Sequence, residues 1–245
     1  MRGLFITATD TGAGKTFVTA GIARLWHRAQ RPFCVCKPVA TGAEEQWSED
    51  TRLLAEAAGD EDLRAVTPFT FELPAAPTVA ARLAGRTLQL ADLVAAVRCR
   101  AADNKTVLVE GVGGLLCPLT DDTTVADLIG ELALPLVVVA RRSLGTLNHT
   151  LLTVEAALRR HLPVAGVVVT ATTPVQGVAE ETVIEELSRL LPVPLLAILP
   201  HHPKMCGEEI AALAKVDWWQ LSQSMKRNRG DGTTGENHSY GSHEA

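Results

Sequence analysis

Residues 9–16 read TDTGAGKT and follow directly on the apolar run GLFITA at 3–8. A strand, a glycine-containing turn and a helix opening on GKT gather backbone N–H groups and a helix amino terminus around one point, and such groups bind phosphate oxygens. On this reading Gly12, Ala13, Gly14 and Phe17 belong to the cradle, Lys15 reaches the terminal phosphates, and the Thr16 hydroxyl takes one position on Mg²⁺. The pattern ends like GxxxxGK[ST], but Thr9 stands at the first glycine. That substitution is tolerated provided Thr9 can adopt the local backbone conformation, because the close approach to phosphate is made at Gly12 and Gly14. The competing explanation is an ordinary strand-to-helix turn that happens to spell GKT.

Further along, Glu110 closes the apolar run TVLVE and is followed by Gly111, Val112, Gly113 and Gly114. A carboxylate at the end of a neighbouring strand is what Mg²⁺ needs beside the Thr16 oxygen, and the glycines let the turn approach a nucleotide. The alternative is a strand-end acid in solvent. Lys37 ends FCVCK and projects from the same edge of the sheet as the loop, though such a lysine can also snorkel to water. Asp50, beside Glu49 in SED, precedes the helical run TRLLAEAA, where Asp is a good helix cap. His201, His202 and Cys206 in PHHPKMC suggest a soft-metal site, but no second cluster completes four ligands.

These residues need a scaffold, and the apolar pattern supplies one. Short β-branched runs (3–8, 33–37, 106–111, 134–140, 164–170, 194–199) alternate with amphipathic segments at 15–29, 49–58, 77–84, 88–102, 146–161 and 178–191. The strands are continuously apolar, as strands covered on both faces must be. The expectation is a doubly wound α/β fold with a mainly parallel sheet, whose ligands sit beyond the carboxyl ends of the strands. TPFTFELPAAPT at 67–78 reads as an ordered loop leading into a short helix.

With 245 residues, 47% hydrophobic and 21% charged, the chain is expected to form one domain over 1–225. The tail at 226–245, rich in Gly, Ser, Asn and charge, is expected to be disordered. A net charge of −5 gives no electrostatic footprint for nucleic acid or an anionic membrane. No apolar run reaches the roughly 18 residues of a membrane span and no leader pattern opens the sequence, so a cytoplasmic location is expected. Five cysteines, at 34, 36, 99, 117 and 206, form no disulfide framework.

The ordered blocks TDTGAGKT, KPVATG (37–42), PFTFELPAAP (68–77), VEGVGG (109–114) and LGTLNHTLLT (144–153) resemble those of the dethiobiotin synthetase family, over residues 3 to 200. The resemblance implies a P-loop fold and an enzyme that joins 7,8-diaminopelargonic acid and CO2 (or bicarbonate) at the expense of ATP. A carbamate forms first, ATP phosphorylates it, and the second amine closes a cyclic urea and expels phosphate. It implies metal roles for Thr16, Glu110 and Asp50, and a catalytic pair of ammonium groups in Lys15 and Lys37. Thr11 and Thr41 take the diamine end, where either hydroxyl could instead stabilise its own turn. Asn148, in a segment reaching across a two-fold homodimer interface, takes the substrate carboxylate, although Asn is also a common helix-start residue. The family's base-reading asparagine is replaced by Thr170, leaving a nucleotide other than ATP open, and Pro200, His201 and His202 fall in its base loop. The alternative function is a nucleotide-switched dimeric ATPase of the partition and division-site type. Asp10 stands where those proteins carry a signature lysine, which argues against it.

Overall fold

In a computed structural model the described residues are 1–43, 46–103, 105–201 and 207–223, with the side chains of 207–209 left aside. The tail expected at 226–245 lies outside them, as do His202 and Cys206. Among the described residues there are eight strands: β1 (Gly3–Ala8), β2 (Phe33–Cys36), β3 (Val39–Thr41), β4 (Phe69–Phe71), β5 (Thr106–Glu110), β6 (Leu136–Arg141), β7 (Val164–Thr170) and β8 (Leu195–Leu199). The helices run α1 (Lys15–Arg28), α2 (Glu49–Ala58), α3 (Leu63–Val66), α4 (Pro77–Leu83), α5 (Leu90–Arg100), α6 (Val125–Leu132), α7 (Thr146–Arg159), α8 (Val178–Leu190), α9 (Gly207–Leu213) and α10 (Trp218–Gln223).

Six strands form one parallel sheet in the order β2-β5-β1-β6-β7-β8. Because successive side chains point to opposite faces, each central strand feeds two cores. Phe5, Cys36, Val109, Val138 and Val169 pack with Leu93, Ile129, Val154 and Leu187 of α5, α6, α7 and α8. Leu4, Ile6, Val35, Leu108, Val139 and Val168 pack with Ile22 of α1, Leu54 of α2 and Trp218 of α10. This explains the unbroken apolar runs: neither face of β1 meets water, and Leu4, Phe5 and Ile6 are fully buried. After β1 the chain crosses to the edge strand β2, returns to β5 beside β1, and then passes to β6 on the other side of β1, so the crevice for ligands opens at the carboxyl ends beside β1. Among the described residues no helix is long and apolar enough to cross a membrane.

Several elements lie outside the expected runs: β3, α3, α9 and α10 were not expected, and two further regions differ from their reading. Residues 69–71, read as loop, form β4, which pairs in parallel with β3 as a separate two-stranded sheet. Three-residue strands are too short for alternation to register. Between β5 and β6, where no element was expected, lies α6, started by a capping box in which Thr124 and Asp127 exchange bonds. The expected helix at 88–102 is α5, two residues shorter at each end.

Candidate active site

A cavity of about 710 Å³ opens at the carboxyl ends of the strands beside the phosphate loop. The loop contributes Thr11, Gly12, Gly14, Lys15, Thr16 and Phe17, the residue after β2 contributes Lys37, the end of β3 Thr41, and the segment after β5 Val112, Gly113 and Cys117. Asp50 and Leu53 come from α2, and Pro74, Ala75, Ala76 and Pro77 close the remaining wall. Thr9 keeps a negative φ, while Gly12 and Gly14 take φ of 71° and 90°. The left-handed positions in the loop therefore fall on glycines, and the absent first glycine is not needed.

Charge is concentrated on one wall. Lys37 is 5% exposed, and its ammonium donates to Glu110 Oε1 at 2.8 Å and to Asp50 Oδ2. Burial works to lower the Lys37 pKa, but the two carboxylates outweigh it and hold the group above its ordinary value. It is a fixed cation and does not snorkel. For Asp50, burial pushes upward and is outweighed by Lys37 and Thr16, so its carboxyl sits below the ordinary range. Glu110 is fully buried: its Oε1 also accepts from Thr16 Oγ1 at 2.9 Å, while its Oε2 has no hydrogen-bond partner among the described residues. Lys15 is 7% exposed and donates to Gly113 O at 2.8 Å. Burial lowers its pKa, and the neighbouring Lys37 adds to that against the pull of Glu110.

Asp50 does not cap α2. Ser48 does, accepting from the Thr51 N–H at 3.2 Å, which leaves the Asp50 carboxylate free to face Lys37. Asp10 turns its own carboxylate onto the Thr11 N–H at 2.7 Å and so shapes the start of the loop.

Other expected residues stand apart from the cavity. Ala13 is buried behind the loop, and Gly111 donates its N–H to Ile6 O and packs against Phe5, a sheet role. Thr170, 4% exposed, places its hydroxyl on Ala13 O at 2.6 Å beneath the loop. Pro200 is exposed, and His201 approaches Ala171 O through Nδ1 at 3.3 Å. Asn148 is exposed in the first turn of α7, on no wall of the cavity. Sequence reasoning gave no site role to Leu53, Cys117 or the Pro74–Pro77 wall, although PFTFELPAAP marked that wall as a block of interest. Arg141, whose guanidinium donates to Thr11 O at 2.8 Å, was also missed.

A family model described as an AAA domain matches residues 2–209. Over 204 residues the chain is 47% identical to the protein named ATP-dependent dethiobiotin synthetase BioD of Anaeromyxobacter dehalogenans (strain 2CP-C), covering 83% of this chain and 92% of that one. The protein of the same name from Bacillus subtilis (strain 168) is 36% identical over 220 residues, covering 88% and 94%. Among solved structures, the MinC:MinD cell division protein complex of Aquifex aeolicus is similar at TM-score 0.50 and 14% identity, with 83% of each chain covered. That last likeness is one of fold alone. The sequence relatives, 47% and 36% identical and covered over 92% and 94% of their own length, place this chain in the dethiobiotin synthetase family.

Proposed function

We infer that the chain is an ATP-dependent carbon–nitrogen ligase that converts 7,8-diaminopelargonic acid and CO2 to dethiobiotin, with ADP and phosphate as the other products. The observation that carries this reading is the buried Lys37 ammonium, fixed between Glu110 and Asp50 on the wall of the cavity that Lys15 also lines. One substrate amine adds to CO2, losing a proton to give the carbamate. A carbamate oxygen attacks the γ-phosphorus and ADP leaves. The second amine then attacks the carbamoyl carbon and phosphate departs, closing the ring. The carbamate and the transferring phosphoryl group are both anionic, and two fixed ammonium groups lower their repulsion and stabilise charge that grows in the transition state. A cation so placed contributes about 10³–10⁵ in rate, or ~4–7 kcal/mol. Lys37, with its raised pKa, serves as charge and not as a proton carrier.

Thr16, Asp50 and Glu110 are the residues that would hold Mg²⁺, which neutralises nucleotide phosphate charge when bound. The donors are all hard oxygens, and the partnerless, buried Glu110 Oε2 supports the fit. Thr11 and Thr41 line the cavity with hydroxyls suited to the diamine. A homodimer in which α7 of one copy brings Asn148 to the other's substrate carboxylate is supported by Leu144 and Leu152, apolar yet 83% and 57% exposed on either side of it. Sedimentation tests the dimer. The reaction is tested by ADP release with and without 7,8-diaminopelargonate and bicarbonate: release should require both, and release indifferent to the diamine sinks the assignment. Comparing ATP, GTP and CTP in that assay measures the base preference.

A further inference from the structure

One flank of the phosphate loop faces the cavity; the other is held by residues that no step of the reaction uses. Arg141 and Thr170 are the last residues of β6 and β7 and are register partners in the sheet. Each follows a residue of the α5–α8 face, Ala140 and Val169, so both point to the α1 face, where the loop lies. Arg141 Nη2 donates to Thr11 O at 2.8 Å. Thr170 Oγ1 lies 2.6 Å from Ala13 O, with Ala140 O a longer alternative at 3.4 Å.

The acceptors are alternate carbonyls of the loop, and that spacing has a consequence. In a trans peptide the C=O of one residue and the N–H of the next point in opposite directions, and no peptide here is cis. Anchoring the Thr11 and Ala13 carbonyls toward β6 and β7 therefore turns the Gly12 and Gly14 N–H groups the other way, and both glycines line the cavity. The fit is close: a Cβ on Gly12 would lie 3.3 Å from Arg141 Nη2, and one on Gly14 3.1 Å from Thr170 Oγ1. Neither Arg141 nor Thr170 lines the cavity itself.

We propose that Arg141 and Thr170 are positioning residues that form the phosphate cradle from behind, fixing the Gly12 and Gly14 amides before a nucleoside triphosphate arrives. The proposal rests on the nucleotide-using function inferred above. It assigns Thr170 to phosphates and not to the base, because its single hydroxyl proton is committed to the Ala13 carbonyl. The cradle it shapes is blind to the base.

The test uses Thr170→Val, which keeps the shape and removes the hydroxyl, with Thr170→Ser as its rescue, and Arg141→Met with Arg141→Lys. Dissociation constants for ATP, GTP and CTP are measured by titration without diamine, followed by kcat and both KM values. Thr170→Val and Arg141→Met should each weaken all three nucleotides alike, by roughly 3- to 10-fold. The nucleotide KM should rise in step, kcat should hold, the diamine KM should hold in Thr170→Val, and the Ser and Lys variants should recover affinity. Weakening confined to one nucleotide would show that Thr170 reads the base, and unchanged affinity would show that the loop keeps its shape unaided; either overturns the proposal. So does a loss that Ser fails to repair. Because affinity is read directly, a wild-type protein without diamine-dependent ADP release would defeat the assigned reaction and leave this test standing.

Discussion

The two flanks of the phosphate loop are built from different kinds of contact. On the cavity flank Lys37, Glu110, Asp50 and Thr16 meet one another side chain to side chain. On the flank toward β6 and β7, Arg141 and Thr170 meet main-chain carbonyls. Charged side chains that pair among themselves can exchange those partners for a ligand, so the cavity flank can change state during turnover. Arg141 and Thr170 lie off the cavity, so their bonds to loop carbonyls have no ligand to be exchanged for and hold a shape, whereas the Lys15 bond to Gly113 O is on the cavity wall and can be given up. One flank is suited to chemistry and the other to preparing the loop for it.

The largest effect should come from breaking the cavity flank at its cation. Lys37→Ala should lower kcat for diamine-dependent ADP release by about 10³–10⁵ while nucleotide affinity stays near wild type. Loss of both would move Lys37 from chemistry to binding. Glu110→Gln should act next, and through stability. It leaves the buried ammonium with one carboxylate, Asp50, whose side chain is 46% exposed. Removing one partner of a buried pair costs about 3 kcal/mol or more, at about 2–4 °C per kcal/mol for a chain of this size. Thermal unfolding without nucleotide reads this, and the Mg²⁺ concentration that half-saturates ADP release should rise in the same variant. A melting temperature equal to wild type would mean that Glu110 does not hold Lys37.

The same division explains what the sequence disclosed. The sheet was legible because burial on both faces writes an unbroken apolar run at each strand. The cavity flank was legible in part: Glu110 ends an apolar run beside glycines, where a buried charge is costly unless paired, whereas the run ending at Lys37 left snorkelling open and the family resemblance supplied its role. Less legible was α6: its buried Val125, Ala126, Leu128, Ile129 and Leu132 do face away from Asp127, Gly130 and Glu131, but eight residues are about two turns, too few for the helical period to stand out. The sequence leaves Asp50 between cap and ligand; the structure removes the cap reading alone, because Ser48 caps α2. Hidden altogether was the rear flank: the Thr170 hydroxyl bond spans 157 positions in the chain and ends on a carbonyl, which carries no side-chain signature. The family pattern pointed at that position for another reason, its substituted asparagine, and so drew attention to the base instead of the loop.

Between these extremes, the paired variant Thr170→Val/Arg141→Met should raise the nucleotide KM more than either change alone and still leave kcat near wild type. A large fall in kcat would erase the contrast between the flanks, since it would mean that the rear contacts act in the transition state and not only in binding. Steady-state kinetics at saturating diamine decides between the two.

The smallest effect, and the one that sharpens the distinction furthest, is expected at a carboxylate that serves backbone away from the loop. Asp127 Oδ2 accepts the Thr124 N–H at 2.7 Å and the Thr124 hydroxyl at 2.6 Å, while Arg160 approaches Oδ1 at 3.3 Å. Burial pushes its pKa upward but is outweighed by Thr124 and Arg160, so the carboxyl lies below the ordinary value of 3.8. A depressed folded-state pKa means stabilisation that is complete above the unfolded value and lost as pH falls through the folded one. Asp127→Asn should therefore lower stability at neutral pH by up to about 1 kcal/mol. The gap from wild type should close in acid, as urea midpoints across that range would show. Kinetics should be untouched, because the amides of Val125 and Ala126, not Asp127, hold the Cys117 and Leu115 carbonyls next to the cavity. A raised nucleotide KM in this variant would show that the helix start shapes the site as the rear flank does, and the separation between folding contacts and loop-forming contacts would have to be drawn elsewhere.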